Sequence, residues 1–541
     1  MPWNPLLDLT GDRTVLKVSA TDVSSTCACG RFLAIKVRPE ARSPAWGRSF
    51  PRDNVFPLGD LVELVEAAHR APEAATYSTL RRWLAQQFDA RGTHRLLRPY
   101  LERAVENVLE AHETIEDALG PLRLLVNNPT VGRKPRQLTA WGPLYETQDG
   151  VREIRRYRLG SAHQHPDDED KLWTATAGNV AATFRGGVPS TRVRVVEIGA
   201  VDGSIAVLFD ADPPSAVAAF RGSGRVRAAE LTEQDHVVPC RDCGNCKVAG
   251  VCQALVPVTG MLGQAEAGYR SRSVAPSGLE QYRLCPAQWL LDRELHFPKE
   301  KGITEAQARG MAVHQWLKAA HQRGVGCRLE DLPEPGGDLG LAAGVLSEED
   351  YAVAYPYLVQ HLPNCPLDAL DTVVVAVEEN VCGFDHDAQV IPVTKPDLIY
   401  RLGERLIARE FKTAVGIPAH GKDEGYSQHF QVPFLLTMLA SGLAERHGAA
   451  AGTVELELLT PTGSELWTWD SDHALTVRVA AGDVRRAVDD WHKDGTWDTR
   501  PGHHCIWCPV REWCPDRDSH TAGVDWANGA PDPAADVLPP F

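Results

Sequence analysis

The 541-residue chain reads as an α/β protein made of two tandem copies of one module, and three observations predict this. A Cys-x2-Cys-x5-Cys element occurs twice, as Cys243, Cys246 and Cys252 and as Cys505, Cys508 and Cys514. A cysteine at the head of a short apolar run precedes each, and the spans agree: 223 residues separate Cys29 from Cys252, and 229 separate Cys285 from Cys514. Between them, the segment Arg192 to Asp210 parallels Gly452 to Asp470, both as two alternating strands around a glycine turn. The module is therefore roughly 240 residues long, within the usual domain range.

The expected organisation is a first domain at 1–260, a second at 261–518, and a tail at 519–541 whose Ala, Pro, Gly and Asp content predicts disorder. Apolar residues at helical spacing predict amphipathic helices over Leu61–Ala71, Tyr100–Leu119 and Ala306–His321. The run from His165 to Asp170 reads as a solvated acidic loop, and Pro333 to Asp338 as a second loop.

With 43% hydrophobic and 24% charged residues the chain can bury more than one core. Its first residues lack the basic and apolar regions of a secretory signal, and no run of about 18 apolar residues appears, so a cytoplasmic protein without membrane partners is expected. In a reducing compartment, thirteen cysteines with Cys-x-x-Cys spacings point to metal or iron–sulfur ligation. A net charge of -16 argues against a surface coated for nucleic acid, and confines any such contact to a local basic groove.

The chemistry concentrates in the second half. Asp397 is followed by a strand, a turn at Gly403 and a second strand that carries Glu410 and Lys412. Period-2 alternation puts Glu410 and Lys412 on one face, and the hairpin brings Asp397 beside them. Two carboxylates make a hard oxygen site suited to Mg²⁺ or Mn²⁺, which lowers the pKa of a bound water, and an ammonium can orient that water. A cross-strand ion pair is the plain alternative for so short a pattern.

Taken together with Gly278 to Pro286, Gly310 to His314, Gln431 and the final cysteine triad, these residues resemble the iron–sulfur branch of RecB-like PD-(D/E)xK nucleases. That branch includes CRISPR-associated exonucleases and the nuclease domains of helicase–nuclease complexes. The resemblance spans about 230 residues in family order. It implies that each half is a restriction-endonuclease-like domain, a central mixed sheet flanked by helices with a cysteine-ligated cluster. It also implies that His314, Asp397, Glu410 and the Phe411 carbonyl hold the catalytic ion, that Lys412 assists the attacking water, and that Gln431 belongs to the site. The family's tyrosine four residues after the glutamine is replaced by Leu435, with Gln428 as a substitute.

Cys285, Cys505, Cys508 and Cys514 supply four thiolates, which fit a 4Fe-4S cluster or a structural Zn²⁺; the resemblance favours the cluster. Cys29, Cys243, Cys246 and Cys252 form the equivalent set, with Cys27 and Cys240 as competing ligands, whereas Cys327, Cys365 and Cys382 read as free buried thiols. Overlaying the two halves sets Arg156 and Arg158 where Glu410 and Lys412 stand and Pro143 where Asp397 stands, which predicts a catalytically silent first copy. Arg133, Lys134, Arg136, Arg155, Arg156 and Arg158 there form either a DNA-backbone patch or a strand edge kept soluble by charge.

The expectation is thus a metal-dependent DNA nuclease, directed by resemblance to single strands or DNA ends, in DNA repair or phage defence. Two alternatives stand beside it: a non-catalytic DNA-binding or scaffold subunit of a helicase–nuclease or defence complex, and a zinc-stabilised structural protein. No Walker-type phosphate loop is present, so any helicase is a separate chain.

Overall fold

A computed structural model of the protein describes residues 9–43, 47, 56–71, 77–165, 167–264, 271–299, 302, 304–337, 339–419 and 421–517. The tail at 519–541, expected to be disordered, lies outside them, as does Asp338 of the second expected loop.

Two five-stranded mixed sheets organise the chain. The first runs β1 (Arg123–Asn127), β2 (Pro143–Glu146), β3 (Val151–Arg158), β4 (Arg192–Gly199) and β5 (Ile205–Ala211), each hydrogen-bonded to the next. The second runs β6 (Thr372–Val377), β7 (Leu398–Leu402), β8 (Arg405–Thr413), β9 (Ala451–Thr460) and β10 (Gly463–Asp470) in the same manner. In both, the successive pairings are antiparallel, antiparallel, parallel and antiparallel. Both also bulge in the first pairing, between Leu124 and Val126 and between Val374 and Ala376.

Smaller sheets repeat the likeness. Leu16–Ser19 runs parallel to Arg136–Thr139, which pairs antiparallel with Thr130–Arg133. Arg272–Val274 runs parallel to Val390–Thr394, which pairs antiparallel with Val381–Phe384. A strand at Val256–Pro257 adds to Val381–Phe384, so hydrogen bonding crosses the boundary expected at 260.

The single parallel pairing of each sheet needs a crossover, because parallel neighbours cannot be joined by a tight turn. In the first half it contains α2 (Asp168–Thr183), and in the second α5 (Gln431–Met438). The expected helices are present as Pro57–His69, α1 (Arg98–Leu119) and α3 (Glu305–His321). Thr304 starts α3 by accepting from the Gln307 N–H, while Gln307 reaches back to the Thr304 N–H.

β8 is buried on both faces. Leu406 and Ala408 belong to one core with Val432 and Leu436 of α5 and Val484 of α6 (Ala474–Lys493). Ile407 and Phe411 pack with Trp316 and Leu317 of α3 and Leu358 of α4 (Glu348–His361). The halves share one core, in which Tyr100 of α1 stacks 4.3 Å from Phe297 and meets Trp513 edge-on at 5.1 Å.

The acidic run at 165–170 departs from its expected form. Asp167 accepts from the Asp170 N–H and caps α2, where acidic side chains complement the helix dipole. Asp170 is buried rather than solvated, since it answers two arginines of β3.

Candidate active site

The hairpin of β7 and β8 closes through Gly403, whose φ of +58° suits glycine, and its register sets Leu398 against Arg409. Asp397 therefore faces Glu410 across the pair. Its Oδ2 accepts from the Phe411 N–H at 2.7 Å, which fixes the carboxylate to β8. The Oδ1 lies 2.9 Å from Nδ1 of His314, carried by α3. On the same face of β8, Lys412 Nζ stands 3.4 Å from Glu410 Oε2. Asp397, Glu410 and Lys412 are all buried, at 9%, 1% and 7% exposure.

Glu378 also reaches this point, and sequence reasoning missed it. Its Oε1 is 3.7 Å from His314 Nδ1, and its Oε2 accepts from Lys395 Nζ at 2.5 Å. The backbone turns sharply there: Glu378 adopts φ +51° while its N–H donates to the Asp397 carbonyl at 3.0 Å. A non-glycine residue in that region is strained, and such strain clusters at functional sites. The available signal was the acidic pair Glu378–Glu379 directly after an alternating valine strand.

Charge is uneven across the group. Burial alone would lower the His314 pKa, but the Asp397 carboxylate overrides it and holds the imidazole up at about 10. Asp397 sits below its ordinary value: burial opposes this, and His314 and Lys412 outweigh burial. Burial, then the charge of Asp397, pushes Glu410 up to about 8 against the pull of Lys412. Glu410 Oε1 is buried with no hydrogen-bond partner. One orphaned carboxylate oxygen and donor atoms of His314, Glu378 and Asp397 within 4.8 Å of one another are a donor set that a hard divalent cation fits.

The remaining expected residues fall as follows. Gln431 opens α5, next to Phe430, whose N–H donates to Glu280 Oε1 at 2.5 Å. Leu435 is buried in the core, and Gln428 is exposed and donates to Glu424 at 2.7 Å. Cys285, Cys505, Cys508 and Cys514 line a common small hollow. Cys29, Cys243, Cys246 and Cys252 line another, with Cys240 beside them. Cys327 and Cys365 are not isolated thiols as expected: they converge with His321 and His361. Their separations in sequence hid this, because the two pairs meet only where α3 and α4 end.

In the first half, Arg156 and Arg158 both contact Asp170 and Glu197. Burial opposes it, but Arg156 and His163 hold Asp170 down at about 2. The register of β2 and β3 places Gly142, not Pro143, opposite Arg156. No side chain fits at Gly142, where a Cβ would stand 1.9 Å from the Arg155 carbonyl oxygen. The expected basic patch also needs correction. Arg155 is fully buried, bonded to Glu153 at 2.7 Å and to His112 at 2.6 Å, so it offers nothing to a phosphate. Arg156 and Arg158 are neutralised by their carboxylates. Arg133, Lys134 and Arg136 are exposed, with Lys134 paired to Glu40 at 2.7 Å.

A mixed sheet whose inner strand carries Glu-x-Lys beside an aspartate and a histidine presents a donor set that a hard cation fits, of the kind that supports metal-assisted hydrolysis. Residues 273–515 match the family model of the PD-(D/E)XK nuclease superfamily, whose members are nucleases that use divalent metals. A comparison with curated proteins gives no match. No helix among the described residues is long and apolar enough to cross a membrane.

Proposed function

We propose that the second half is a Mg²⁺- or Mn²⁺-dependent deoxyribonuclease acting on single strands or DNA ends, of the iron–sulfur RecB-like kind, and that the first half is its degenerate duplicate. The observation that carries the proposal is the convergence of His314, Asp397, Glu410 and Lys412 around an unsatisfied carboxylate oxygen. A divalent ion held there supplies a water of lowered pKa and offsets charge on the scissile phosphate. Asp397, pinned through Oδ2 by the Phe411 N–H, presents Oδ1 to that site beside His314. Glu410 contributes a second carboxylate, the Phe411 carbonyl is a further ligand, and Lys412 orients the attacking water. Glu378 positions His314.

The duplication is supported by the strand-for-strand likeness of the two sheets and by the charge substitution at Arg156 and Arg158. Two 4Fe-4S clusters are supported by the hollows among the cysteines. Thiolates sharing one zinc sit about 3.8 Å apart at ordinary bond lengths, whereas those of a cluster bind separate irons and spread wider. Among the described residues neither four-cysteine set supplies three sulfurs within 4.8 Å of one another. Arg133, Lys134 and Arg136 are the candidate DNA contacts, and a helicase or defence-complex subunit is the candidate partner, in repair or antiviral defence.

The test is degradation of labelled single- and double-stranded DNA by anaerobically purified protein with Mn²⁺ or Mg²⁺, comparing wild type with Asp397→Ala and Lys412→Ala. Metal-dependent cleavage lost in both variants is the expected result. Wild type that binds DNA and cuts nothing would instead favour a DNA-binding scaffold subunit, the reading to which Leu435 and the altered first half belong.

A further inference from the structure

On the opposite side of the catalytic strand, we propose a second kind of metal centre: a tetrahedral zinc site formed by His321, Cys327, His361 and Cys365. It stands apart from the hydrolytic site and from both four-cysteine hollows, and does not rest on the nuclease reading.

All four side chains are buried, at 1%, 3%, 0% and 7% exposure. The histidines are the last residues of α3 and α4, and each cysteine follows its histidine by a few residues in the chain leaving the helix. Their ligand atoms all lie within 4.8 Å of one another. The two Nε2 atoms are 3.2 Å apart, and Cys365 Sγ is 3.9 Å from His321 Nε2. Ordinary zinc bonds in a tetrahedron put two nitrogens about 3.4 Å apart and a nitrogen and a sulfur about 3.6 Å apart. The group therefore already has close to the spacing that one zinc ion requires.

The hydrogen bonds around the group agree. His361 Nδ1 lies 3.0 and 3.1 Å from the two Glu457 oxygens, so its proton is on that side and Nε2 turns inward. A carboxylate behind a histidine in this way is the usual support for a metal ligand. The Cys327 N–H donates to Cys365 Sγ at 3.3 Å, as suits a thiolate. His321 Nδ1 is buried without a hydrogen-bond partner. A buried enclosure that brings two imidazoles and two thiols together carries a desolvation cost, which metal coordination offsets. Two nitrogens and two sulfurs select zinc over the hard cation of the carboxylate site.

The centre supports the catalytic strand from behind. Phe411, between Glu410 and Lys412, stacks on His321 at 5.5 Å and 27° and meets His361 edge-on at 5.2 Å and 88°. Glu457 bonds Arg409 of the same strand at 3.0 Å. These four ligands are positioning residues: they hold β8 and touch no substrate.

The test is metal analysis of the anaerobically purified full chain, with X-ray absorption at the zinc edge. Wild type is expected to hold one zinc per chain in a shell of two sulfurs and two nitrogens, and Co²⁺ in its place is expected to give tetrahedral visible bands. Cys327→Ser with Cys365→Ser, and His361→Asn alone, should lose that zinc while iron content stays unchanged; Cys505→Ser should keep it. A zinc-free wild type, a zinc shell of four sulfurs, or zinc retained in the folded double variant would each overturn the proposal. The wild-type spectrum decides the matter even where the double variant does not fold.

Discussion

The same two strand positions carry opposite chemistry in the two halves of the chain. On β8, Glu410 and Lys412 face His314 and Asp397, and one Glu410 oxygen is left without a partner. On β3, Arg156 and Arg158 are answered by Asp170 and Glu197 from neighbouring elements. Sheet order, strand direction and even the bulge in the first pairing agree, so the scaffold does not account for the difference. What separates them is balance: the first site is closed upon its own charges, and the second keeps a buried carboxylate oxygen unpaired. One sheet framework can thus carry either charge arrangement.

The largest expected effect lies in breaking the open site. Replacing Glu410 by Arg, which copies the first half, should abolish divalent-ion binding and lower DNA cleavage by about 10³-fold or more, as loss of a metal's Lewis-acid contribution does. Isothermal titration with Mn²⁺ and single-turnover cleavage measure both.

Breaking the closed site should alter stability and leave chemistry alone. Asp170→Ala strips a shared counter-ion from two partly buried arginines and should cost about 2 kcal/mol, below the 3–5 kcal/mol of fully buried pairs because the arginines retain some solvent. Chemical denaturation reads this, with cleavage per folded molecule unchanged.

A pH dependence also arises in the first half. Burial, then the charge of Arg155, holds His112 down at about 3 from its ordinary 6.5. The unfolded chain accepts a proton that the folded chain resists, so stability present above about pH 6.5 is lost as pH falls toward 3. His112→Gln should make the fall of the denaturation midpoint across that window shallower, leaving the share of His429, which burial also holds down at about 3.

The smallest effect sharpens the DNA question. If the exposed hairpin at Arg133, Lys134 and Arg136 touches phosphates, each alanine substitution should reduce the slope of log affinity against log salt by about 1, without sequence preference. Unchanged slopes would leave that hairpin as a charged strand edge.

Much of this was legible along the chain. Local periodicity gave the Asp397–Lys412 hairpin and three helices, and repeated spacing pointed to the cysteines that line the two hollows. What escaped was set by long-range pairing. Glu378 joins the site because β6 lies beside β7 and the backbone then turns left-handed. Asp170 becomes a counter-ion because α2 sets its first turn over β3. Arg155 looked basic in sequence, yet Glu153, its neighbour on the same strand face, takes it inward. The buried histidines and cysteines meet only through the packing of two helix ends.

Val256–Pro257 belongs to the first half by chain and to the second by hydrogen bonds. A fragment beginning at residue 261 would therefore expose the rim of Val381–Phe384, an unpaired strand edge of the kind that recruits foreign chains. The two halves are, in assembly terms, a donor and an acceptor. Dissection of this protein for separate expression is best made before residue 256, so that the recipient sheet keeps its last strand.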